Sequence, residues 1–380
     1  MIKKDRLIKL TQKVVSYDSQ NPPGCELELA KFIEKDMRSL GIDVKRYTYA
    51  KDRPNIIATL KGSAPRKTAE KNAVLLTPHF DTVPFGRGWK YHPLSGKVVG
   101  GKIYGRGTSD DKGNLASCME VMRSLVEDKC KPRYDVIMAA TVDEETGSHK
   151  GILPLLEKKV FKTRLAVVMD SSEFDAVIVQ KGLIHARVQI FGKKAHGAYN
   201  WLGDNALEKA AEVICLLRKM KYPYKKHKLL HAPTMNIGVI RGGDKVNMVC
   251  DFCEFTFDAR CLPGTKAEDL LKRIRREISK VTTKFKIVID DLQQPYEMSA
   301  DHPGVRSYLA SCRKAKCKAA VKGSEGATVI TFFKKHGIPA FATGFAAHGT
   351  AHTTDEYIFI KSLYRGTQVL DKFVREYDRQ

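Results

Sequence analysis

Apolar residues recur along this chain with two different periods, and the change between them divides the sequence. In the first part they fall three or four residues apart, which predicts helices before the breaker at 21–24 and over residues 26–40. Short continuous apolar runs follow at residues 55–60, 73–76, 135–141 and 165–169, and helical patterns at 114–127 and 151–158 separate the last three of them. Strands that alternate with helices predict an α/β domain whose sheet is covered on both faces.

A period of two begins at residue 184, where apolar and polar positions alternate as in a half-buried strand. The elements from there have the order β-α-β-β-α-β, which is typical of a ferredoxin-like unit. They span residues 184–190, 205–219, 234–240, 251–260, 267 onward and 284–290. A helix-helix-strand pattern over 305–344 then resumes the first domain. We therefore predict a discontinuous α/β domain of residues 1–180 and 292–380, and an inserted α+β domain of residues 181–291.

The charge balance raises the question of an anionic partner, because 66 Lys and Arg residues against 43 Asp and Glu residues give a formal net charge of +23. The basic residues are spread along the chain, with their densest runs at 218–228, 272–286 and 313–322. No recognised nucleic-acid-binding module accompanies them, which favours a solvated basic surface over a nucleic-acid groove. Steering of acidic substrates is a further alternative.

Nine cysteines without a paired CxxC framework predict free thiols and an intracellular protein. Cys250 and Cys253 form the single match, and the alternation over 249–257 predicts that their sulfurs lie on opposite faces of a strand, which argues against a shared zinc site. The N-terminus is charged, and no run of about 18 apolar residues follows, so we expect a cytoplasmic protein without a membrane span.

His79 and Asp81 stand just after the apolar run 73–76. A histidine at the end of a strand can ligate a metal while a nearby carboxylate orients its ring. More histidine and carboxylate side chains follow in four further segments, which are residues 105–113, 143–147, 168–170 and 351–357. This set of nitrogen and oxygen ligands suits paired zinc or a similar divalent ion.

The order of these motifs closely resembles a known family. The motifs read His-x-Asp-Thr-Val-Pro, Gly-Arg-Gly-x-x-Asp-x-Lys-Gly, Glu-Glu-x-Gly, an acidic residue after a strand, and Ala-His-x-x-Asp-Glu-Tyr. They resemble the two-metal amidohydrolases and exopeptidases, which include acetylornithine deacetylase, succinyl-diaminopimelate desuccinylase, aminoacylase and the glutamate carboxypeptidases. The resemblance covers nearly the whole chain. It implies a phosphorylase/hydrolase-like catalytic domain with a mixed, helix-covered sheet, and it makes the inserted ferredoxin-like domain a lid and dimerisation domain.

The resemblance implies a ligand set for two metal ions. Asp110 would bridge both ions, His79 and Asp170 would complete one site, and Glu145 and His352 would complete the other. Two ions about 3.5–4 Å apart need such a bridging group, and together they acidify a shared water and polarise a carbonyl. Zinc is the expected metal, with cobalt or manganese as alternatives that the same ligands bind.

The same resemblance places two carboxylates beside the metal ligands. Asp81 would orient His79, and Glu144 would be the general base that takes the proton of the water and passes it to the leaving amine. Glu144 and Glu145 suit a division between base and ligand, because consecutive residues of an extended chain point in different directions. Asp111 and Glu356 are expected to be helix-start charges or hydrogen-bonding groups of loops.

Asp170 leaves the substrate class open. Deacylases and carboxypeptidases of the family commonly have Glu at this position, whereas Asp is more typical of its aminopeptidases and dipeptidases. The reach of the carboxylate is shorter by one methylene, which could alter the position of its ion. The loop at 323–326, which includes Gly323 and Ser324, matches a substrate-binding loop in relatives, and Glu325 within it leans toward a deacetylase.

The inserted domain carries three further candidates by resemblance. His196 matches a lid histidine that, in dimeric relatives, reaches into the partner subunit's site and stabilises the oxyanion. Asn247 and Arg260 match positions that bind the carboxylate of the substrate, a contact that suits guanidinium geometry. A polar lid loop is the structural alternative for His196, and pairing with Asp258 or Asp251 is the alternative for Arg260.

The sequence thus predicts a metal-dependent hydrolase that cleaves the amide bond of an N-acyl amino acid and forms a homodimer through its lid. The alternative is an aminopeptidase, dipeptidase or carboxypeptidase of the same family, acting on short peptides. A non-catalytic homologue that binds nucleic acid is disfavoured, because all five ligands and the base are present.

Overall fold

The computed structural model describes residues 1–377 and divides the chain into two compact units. The first unit comprises Met1–Ile178, Met298–Lys322 and the chain from Thr328 onward. The second comprises Val179–Glu297 and Gly323–Ala327. The boundaries therefore fall at 178/179 and 297/298 instead of the predicted 180/181 and 291/292. The five residues 323–327 join the second unit, where the backbone N–H of Lys181 donates to the carbonyl of Ser324.

The helices follow one another in chain order as α1 (Lys4–Val15), α2 (Leu27–Ser39), α3 (Arg66–Lys71), α4 (Lys112–Glu127), α5 (Ile152–Glu157), α6 (Ala206–Lys219), α7 (Ala267–Ser279), α8 (Pro303–Lys314), α9 (Ile330–Lys335) and α10 (Ile360–Glu376). Two short 3-10 helices span Glu144–Thr146 and Gly197–Leu202.

The strands are β1 (Asp43–Thr48), β2 (Pro54–Leu60), β3 (Val74–Thr77), β4 (Lys97–Val99), β5 (Lys102–Tyr104), β6 (Val136–Ala140), β7 (Leu165–Val168), β8 (Ala176–Gln180), β9 (Gly182–Phe191), β10 (Thr234–Gly242), β11 (Phe252–Cys261), β12 (Phe285–Gln293), β13 (Tyr296–Glu297), β14 (Val321–Ser324), β15 (Ala340–Ala342) and β16 (Tyr357–Phe359).

The core of the first unit is a mixed sheet with the strand order β1-β2-β6-β3-β7-β15-β8. The four neighbours β6, β3, β7 and β15 pair in parallel, whereas β1, β2 and β8 join antiparallel. Every residue of β3, β6 and β7 is buried, which is typical of strands covered by helices on both faces. The predicted α/β fold with a mixed sheet is confirmed.

The sheet topology decides where the candidate ligands lie. The segments that carry His79, Glu145 and Asp170 follow β3, β6 and β7, which are adjacent and parallel. The carboxyl ends of parallel strands meet at one edge of a sheet, and this is where α/β proteins bind ligands. Three segments that lie far apart in the sequence are thereby brought together.

Helix α10 was not predicted, although it is the longest helix among the described residues. Its buried face includes Gly366 and Thr367 beside Leu363 and Leu370, so its apolar period is interrupted. A Cβ atom added at Gly366 would lie 2.1 Å from the ring of Phe345, which explains why a small residue is needed there. The close packing therefore weakens the sequence pattern from which a helix is predicted.

The second unit has the order β9-α6-β10-β11-α7-β12, with an antiparallel sheet in the spatial order β10-β11-β9-β12. Buried residues alternate along β9 and β11 and pack with the apolar faces of α6 and α7. Cys250 and Cys253 belong to this same core, so the prediction of opposite faces was wrong. Cys250 precedes the first residue of β11, and the strand period does not extend to it. All nine cysteines are free thiols.

Between residues 1 and 377, no helix combines the length and the apolar character that crossing a bilayer requires.

Candidate metal centre

The five predicted metal ligands converge in two groups that share Asp110. His79, Asp110 and Asp170 form the first group, and Asp110, Glu145 and His352 form the second. Within each group, one ligand atom from every residue lies within 4.8 Å of the others. The two histidines approach opposite oxygens of Asp110, with Nε2 of His79 2.9 Å from Oδ1 and Nε2 of His352 3.0 Å from Oδ2. The arrangement leaves Asp110 as the only member common to both groups.

Asp81 orients His79 and also holds the next motif along the sheet edge. The Nδ1 atom of His79 lies 3.1 Å from the backbone oxygen of Asp81 and 3.4 Å from its Oδ1. The carboxylate of Asp81 accepts hydrogen bonds from the backbone N–H groups of Glu144 and Glu145, each at 3.1 Å, and from Nδ2 of Asn21 at 2.8 Å. A fully buried carboxylate therefore fixes a histidine of one group and the glutamates of the adjacent loop.

Glu144 and Glu145 lie in the 3-10 turn Glu144–Thr146, not in the extended chain that the sequence analysis assumed. Asp143 precedes the turn with a left-handed φ of 67°, and its carboxylate accepts from the hydroxyl of Thr146 and the backbone N–H of Lys150. Consecutive residues of a 3-10 helix are rotated by about a third of a turn. The two glutamates therefore still point in different directions, although for another reason.

Glu356 fixes the loop that presents Asp110. Its buried carboxylate accepts hydrogen bonds from the backbone N–H groups of Gly107, Ser109 and Asp110 at 2.8–3.0 Å. Nη1 of Arg106 donates to the same carboxylate at 2.8 Å, and Arg106 is itself buried. Glu356 was expected to be a helix-start charge or a hydrogen-bonding group of a loop, and it holds the loop of Asp110, from which it is 246 residues away along the chain.

Asn114 was missed by the sequence analysis and joins three segments behind the ligands. Its side-chain amide donates to Asp111 at 2.6 Å and to the carbonyl of Met169, which precedes Asp170, and its oxygen accepts from the backbone N–H of Phe345. Asp111 in turn accepts from the backbone N–H of His79. An asparagine in the first turn of a helix gives no signal of this role in the sequence.

The clustered carboxylates shift the pKa values of the site. Hydrogen bonds to Asp110 and Glu145 raise the pKa of His352 to about 10. Burial acts to lower the pKa of His79, but hydrogen bonds to Asp110 and Asp81 outweigh it and raise the pKa well above the ordinary value. Burial and then the charge of Asp110 raise the pKa of Asp170 to about 7. The site therefore strongly favours positive charge.

Glu144 stands beside the two ligand groups without belonging to either. Burial, followed by the charge of Asp170, raises its pKa well above the usual range. Positive charge bound among these carboxylates would act in the opposite direction. A carboxyl group with a raised pKa beside a ligand cluster is suited to proton transfer.

The donor set fits two divalent cations. Each group offers one imidazole nitrogen and two carboxylates, which is the chemistry that zinc and similar ions prefer. The clustered carboxylates give the site a negative potential that offsets the charge of two cations. The carboxylate of Asp110, which both groups share, can bind both of them. Asp81 also provides the carboxylate partner that a ligating histidine normally has.

His196 and Asn247, both exposed, lie on neighbouring segments of the second unit. The backbone N–H of Gly197 donates to the carbonyl of Asn247 at 2.8 Å, and His196 pairs with Met248 in an isolated β-bridge. Nδ1 of His196 accepts from the backbone N–H of Ala198 at 3.1 Å, so the proton of the neutral ring lies on Nε2.

Arg260 pairs with Asp258, which is the structural alternative considered from the sequence. Its Nε and Nη2 atoms donate to the two oxygens of Asp258 at 2.6 and 2.8 Å, and His185 lies 3.1 Å from the same carboxylate. This contact uses the bidentate geometry that a substrate carboxylate would otherwise occupy.

The loop with Gly323 and Ser324 is held by Glu325. Buried Lys181 forms an ion pair with Glu325 at 2.5 Å, and the other carboxylate oxygen of Glu325 accepts from the backbone N–H of His231 at 2.9 Å. A Cβ atom at Gly323 would lie 2.4 Å from the carbonyl oxygen of Leu229, so the close approach requires glycine. Glu325, which the sequence analysis related to substrate choice, is engaged in holding the loop.

Comparison with known proteins agrees with these motifs. The sequence matches the peptidase family M20/M25/M40 over residues 75–376. It is 28% identical to acetylornithine deacetylase from Vibrio cholerae over 379 residues, which covers 97% of this chain and 96% of that enzyme.

Two crystal structures share the fold. The aminopeptidase PepT from Bacillus cereus superposes with a TM-score of 0.81 at 23% identity, covering 99% of each chain. A dinuclear metal-binding peptidase of the M20 family from Bacillus subtilis gives a TM-score of 0.76 at 14% identity, covering 99% of this chain and 98% of that one.

The chain belongs to the peptidase family M20/M25/M40. The family resemblance and the prediction of a metallopeptidase or amidohydrolase are thereby confirmed. The family includes dinuclear metal-binding peptidases, and the two ligand groups around Asp110 form a possible site of that kind.

Proposed function

We propose that this protein hydrolyses the amide bond of an N-acyl amino acid and releases a carboxylic acid and a free amine. The observation that carries the proposal is the pair of ligand groups sharing Asp110, with Glu144 beside them as a carboxylate outside both groups. Its relation to acetylornithine deacetylase over nearly the full length of both chains supports deacylation as the reaction.

We assign the first ion to His79, Asp110 and Asp170, and the second to Asp110, Glu145 and His352. Zinc is the proposed metal, with cobalt or manganese as alternatives. When bound, such ions would polarise the scissile carbonyl and acidify the attacking water.

Glu144 takes the proton of that water and passes it to the nitrogen of the leaving amine. Two features of the chain prepare it for this role. Asp81 accepts from its backbone N–H and so fixes the start of the turn, and the carboxylate of Glu144 itself belongs to neither ligand group, so that it can exchange a proton with the water. Asp81 and Glu356 position other groups and do not touch the substrate.

His196 donates a hydrogen bond from Nε2 to the oxyanion of the tetrahedral intermediate, in the site of a partner subunit. Its hydrogen bond with Ala198 supports this role, because it selects the ring form that can donate from Nε2. The role requires a homodimer formed through the second unit, which is part of the proposal.

Asn247 and Arg260 bind the carboxylate of the substrate, and Gly323 and Ser324 shape the loop beside it. Arg260 is already paired with Asp258, so it would bind a substrate by sharing its guanidinium group between two carboxylates. We also propose a cytoplasmic location, and a basic surface that does not bind nucleic acid.

Peptide hydrolysis by the same ligands and base is the second candidate. Asp170 favours it, because aspartate at this position resembles the aminopeptidases and dipeptidases of the family. The structural similarity to an aminopeptidase is compatible with it.

The decisive experiment is hydrolysis of a panel by protein loaded with zinc or cobalt. The panel contains N-acetyl-ornithine, N-succinyl-diaminopimelate, N-acetyl-methionine and several dipeptides. We expect turnover of an N-acyl amino acid that falls by about 10²–10⁴-fold in Glu144→Gln, the range that a general base contributes. The variant keeps the shape of the side chain, so its metal content should be unchanged.

Turnover confined to dipeptides would move the protein to the peptidase branch. Asp170→Glu is the matched test of that assignment, because it restores the residue common in deacylases and should shift the ratio of the two activities. Metal binding without turnover of any compound would refute hydrolysis as the function.

A further inference from the structure

The first unit contains a cavity of about 820 Å³ that shares no residue with the two metal-ligand groups. Four parts of the chain line it, and they fall within residues 173–175, 316–322, 346–348 and 359–365. The second part belongs to the basic run 313–322, which the proposed hydrolysis does not use. The volume lies within the range of about 300–1,000 Å³ that is usual for sites of small molecules.

The cavity is rich in cations. Lys316, Lys318, Lys361 and Arg365 line it, and none of them forms a side-chain hydrogen bond or ion pair within residues 1–377. Lysine and arginine side chains of a folded protein usually lie apart or pair with carboxylates, because like charges gathered at one place repel. Four unpaired cations around one cavity therefore favour an anion within it.

The two acidic residues of the cavity do not neutralise this charge. Nζ of Lys322 lies 2.6 Å from Asp175 and 3.9 Å from Glu173, so a fifth cation already engages both carboxylates. The backbone N–H of Ala320 also donates to Asp175 at 2.8 Å. Lys316, Lys318, Lys361 and Arg365 supply the positive charge that remains.

Apart from His348 and Ser362, the rest of the lining is apolar. Phe174 and Phe359 contribute aromatic rings, and Ala319, Ala346 and Ala347 contribute small side chains that leave space between them. A pocket that combines apolar walls with a few convergent charged groups selects ligands that have both kinds of surface. Inorganic ions alone would leave the apolar part unused.

We propose that this cavity binds a phosphorylated small molecule with an aromatic or apolar body, such as a mononucleotide. A phosphate monoester carries close to two negative charges near neutral pH and three acceptor oxygens. The guanidinium of Arg365 and the ammonium groups of the lysines match these oxygens. A carboxylate, with one charge, would leave most of the four cations unpaired. The inference is independent of the proposed hydrolysis.

The test is isothermal titration of the metal-loaded protein with AMP, adenosine and inorganic phosphate. We expect AMP to bind at least tenfold more tightly than adenosine or phosphate, because only AMP uses both the cations and the apolar walls. The double variant Lys318→Glu/Lys361→Glu should weaken AMP binding by at least tenfold. The control variant Lys9→Glu/Lys35→Glu makes the same change of charge at exposed lysines outside the cavity and should bind AMP like the parent.

Three outcomes would overturn the proposal. The first is that AMP does not bind. The second is that Lys318→Glu/Lys361→Glu leaves AMP binding intact, as expected for a nucleotide held at the metal centre. The third is that a single-stranded oligonucleotide binds more tightly than AMP through the same lysines. Melting temperatures of all variants show whether they are folded. If the charge reversals unfold the protein, Arg365→Gln and Lys361→Gln replace them, and each should weaken AMP binding several-fold.

Discussion

The candidate residues of the two units differ in how the chain supports them. In the first unit, the side chains of His79, Asp81 and Glu356 are at most 3% exposed. The carboxylates among them accept hydrogen bonds from the backbone of distant loops. In the second unit, His196 and Asn247 are exposed.

The two regions therefore obtain their geometry in different ways. The metal centre is preorganised around His79 and Asp110, because the buried carboxylates of Asp81 and Glu356 hydrogen-bond to the segments that carry the ligands. The exposed side chains of His196 and Asn247 are expected to become fixed only when a substrate or a partner subunit contacts them. Mutations around the metal centre should therefore lower metal affinity. Mutations of the exposed residues in the second unit should lower substrate turnover and leave metal affinity unchanged.

The largest effect on turnover among the variants that distinguish the two regions is expected from His196→Ala. Loss of an oxyanion donor lowers kcat by about 10²–10³-fold. Metal content should stay at the parent level, because His196 belongs to neither ligand group. Steady-state kinetics together with metal analysis measure the two quantities.

Mixing His196→Ala with Glu144→Gln tests whether the histidine serves the partner subunit. In a mixed dimer, one site combines an intact Glu144 with an intact His196, so random mixing should restore about a quarter of the parent activity. Activity that stays at the level of the separate variants would contradict a shared site.

Glu356→Gln is expected to weaken metal binding by about 10–100-fold, the usual cost of losing a group that orients a ligand. The amide cannot accept from all three backbone N–H groups, and it leaves the buried charge of Arg106 without its partner. Competition with a chromophoric chelator measures the affinity. Glu157→Gln, at an exposed position, is the matched control.

Unchanged metal affinity in Glu356→Gln would mean that the loop of Asp110 is held without Glu356. Complete removal in Glu356→Ala should also destabilise the protein by about 3–5 kcal/mol, because a buried charge loses its partner. Urea unfolding measures this second quantity.

Metal affinity should rise with pH. In the metal-free protein, His352 keeps its proton up to a pKa of about 10 and Asp170 up to a pKa of about 7, and both must lose it to bind metal. Each displaced proton changes affinity by about tenfold per pH unit. The slope should therefore be steeper below pH 7 than above it.

Chelator competition between pH 6 and 8 measures this slope, and an affinity independent of pH would contradict it. The same histidine affects the stability of the metal-free protein. Its pKa is raised from an ordinary value of 6.5, so its ion pairs stabilise the fold fully below about pH 6.5. That contribution is lost as the pH rises through about 10.

The smallest effect is expected from Asp258→Asn, which frees the guanidinium of Arg260. If Arg260 binds the substrate carboxylate, KM should fall by up to about fivefold, since a partly exposed ion pair contributes at most about 1 kcal/mol. Asp244→Asn, at an exposed position that pairs with Lys194, is the control. An unchanged KM would leave Arg260 as a structural partner of Asp258.

The order of elements and the motifs could be predicted from the sequence. The runs 55–60 and 165–169 correspond to β2 and β7 within one residue at each end, because buried strands are short, continuous and apolar. The ligand set could be predicted because the order and spacing of its motifs resemble those of a known family. Two contacts could not be predicted, because each joins loops that are far apart in the chain. Asp81 holds the turn of Glu145 as well as His79, and Asn114 holds the segment of Met169.

The sequence by itself determined which residue types could bind metal, and on which ends of which strands they stand. Local patterns suffice for this, because strand period, helix period and motif spacing are properties of neighbouring residues. The contacts by which Glu356 holds the loop of Asp110 and Arg260 pairs with Asp258 were decided in the tertiary structure. The fold also gathers Lys316, Lys318, Lys361 and Arg365, which have no side-chain partner among residues 1–377, around one cavity. The physical reason is that hydrogen bonds and charges act across space, between residues that the sequence separates.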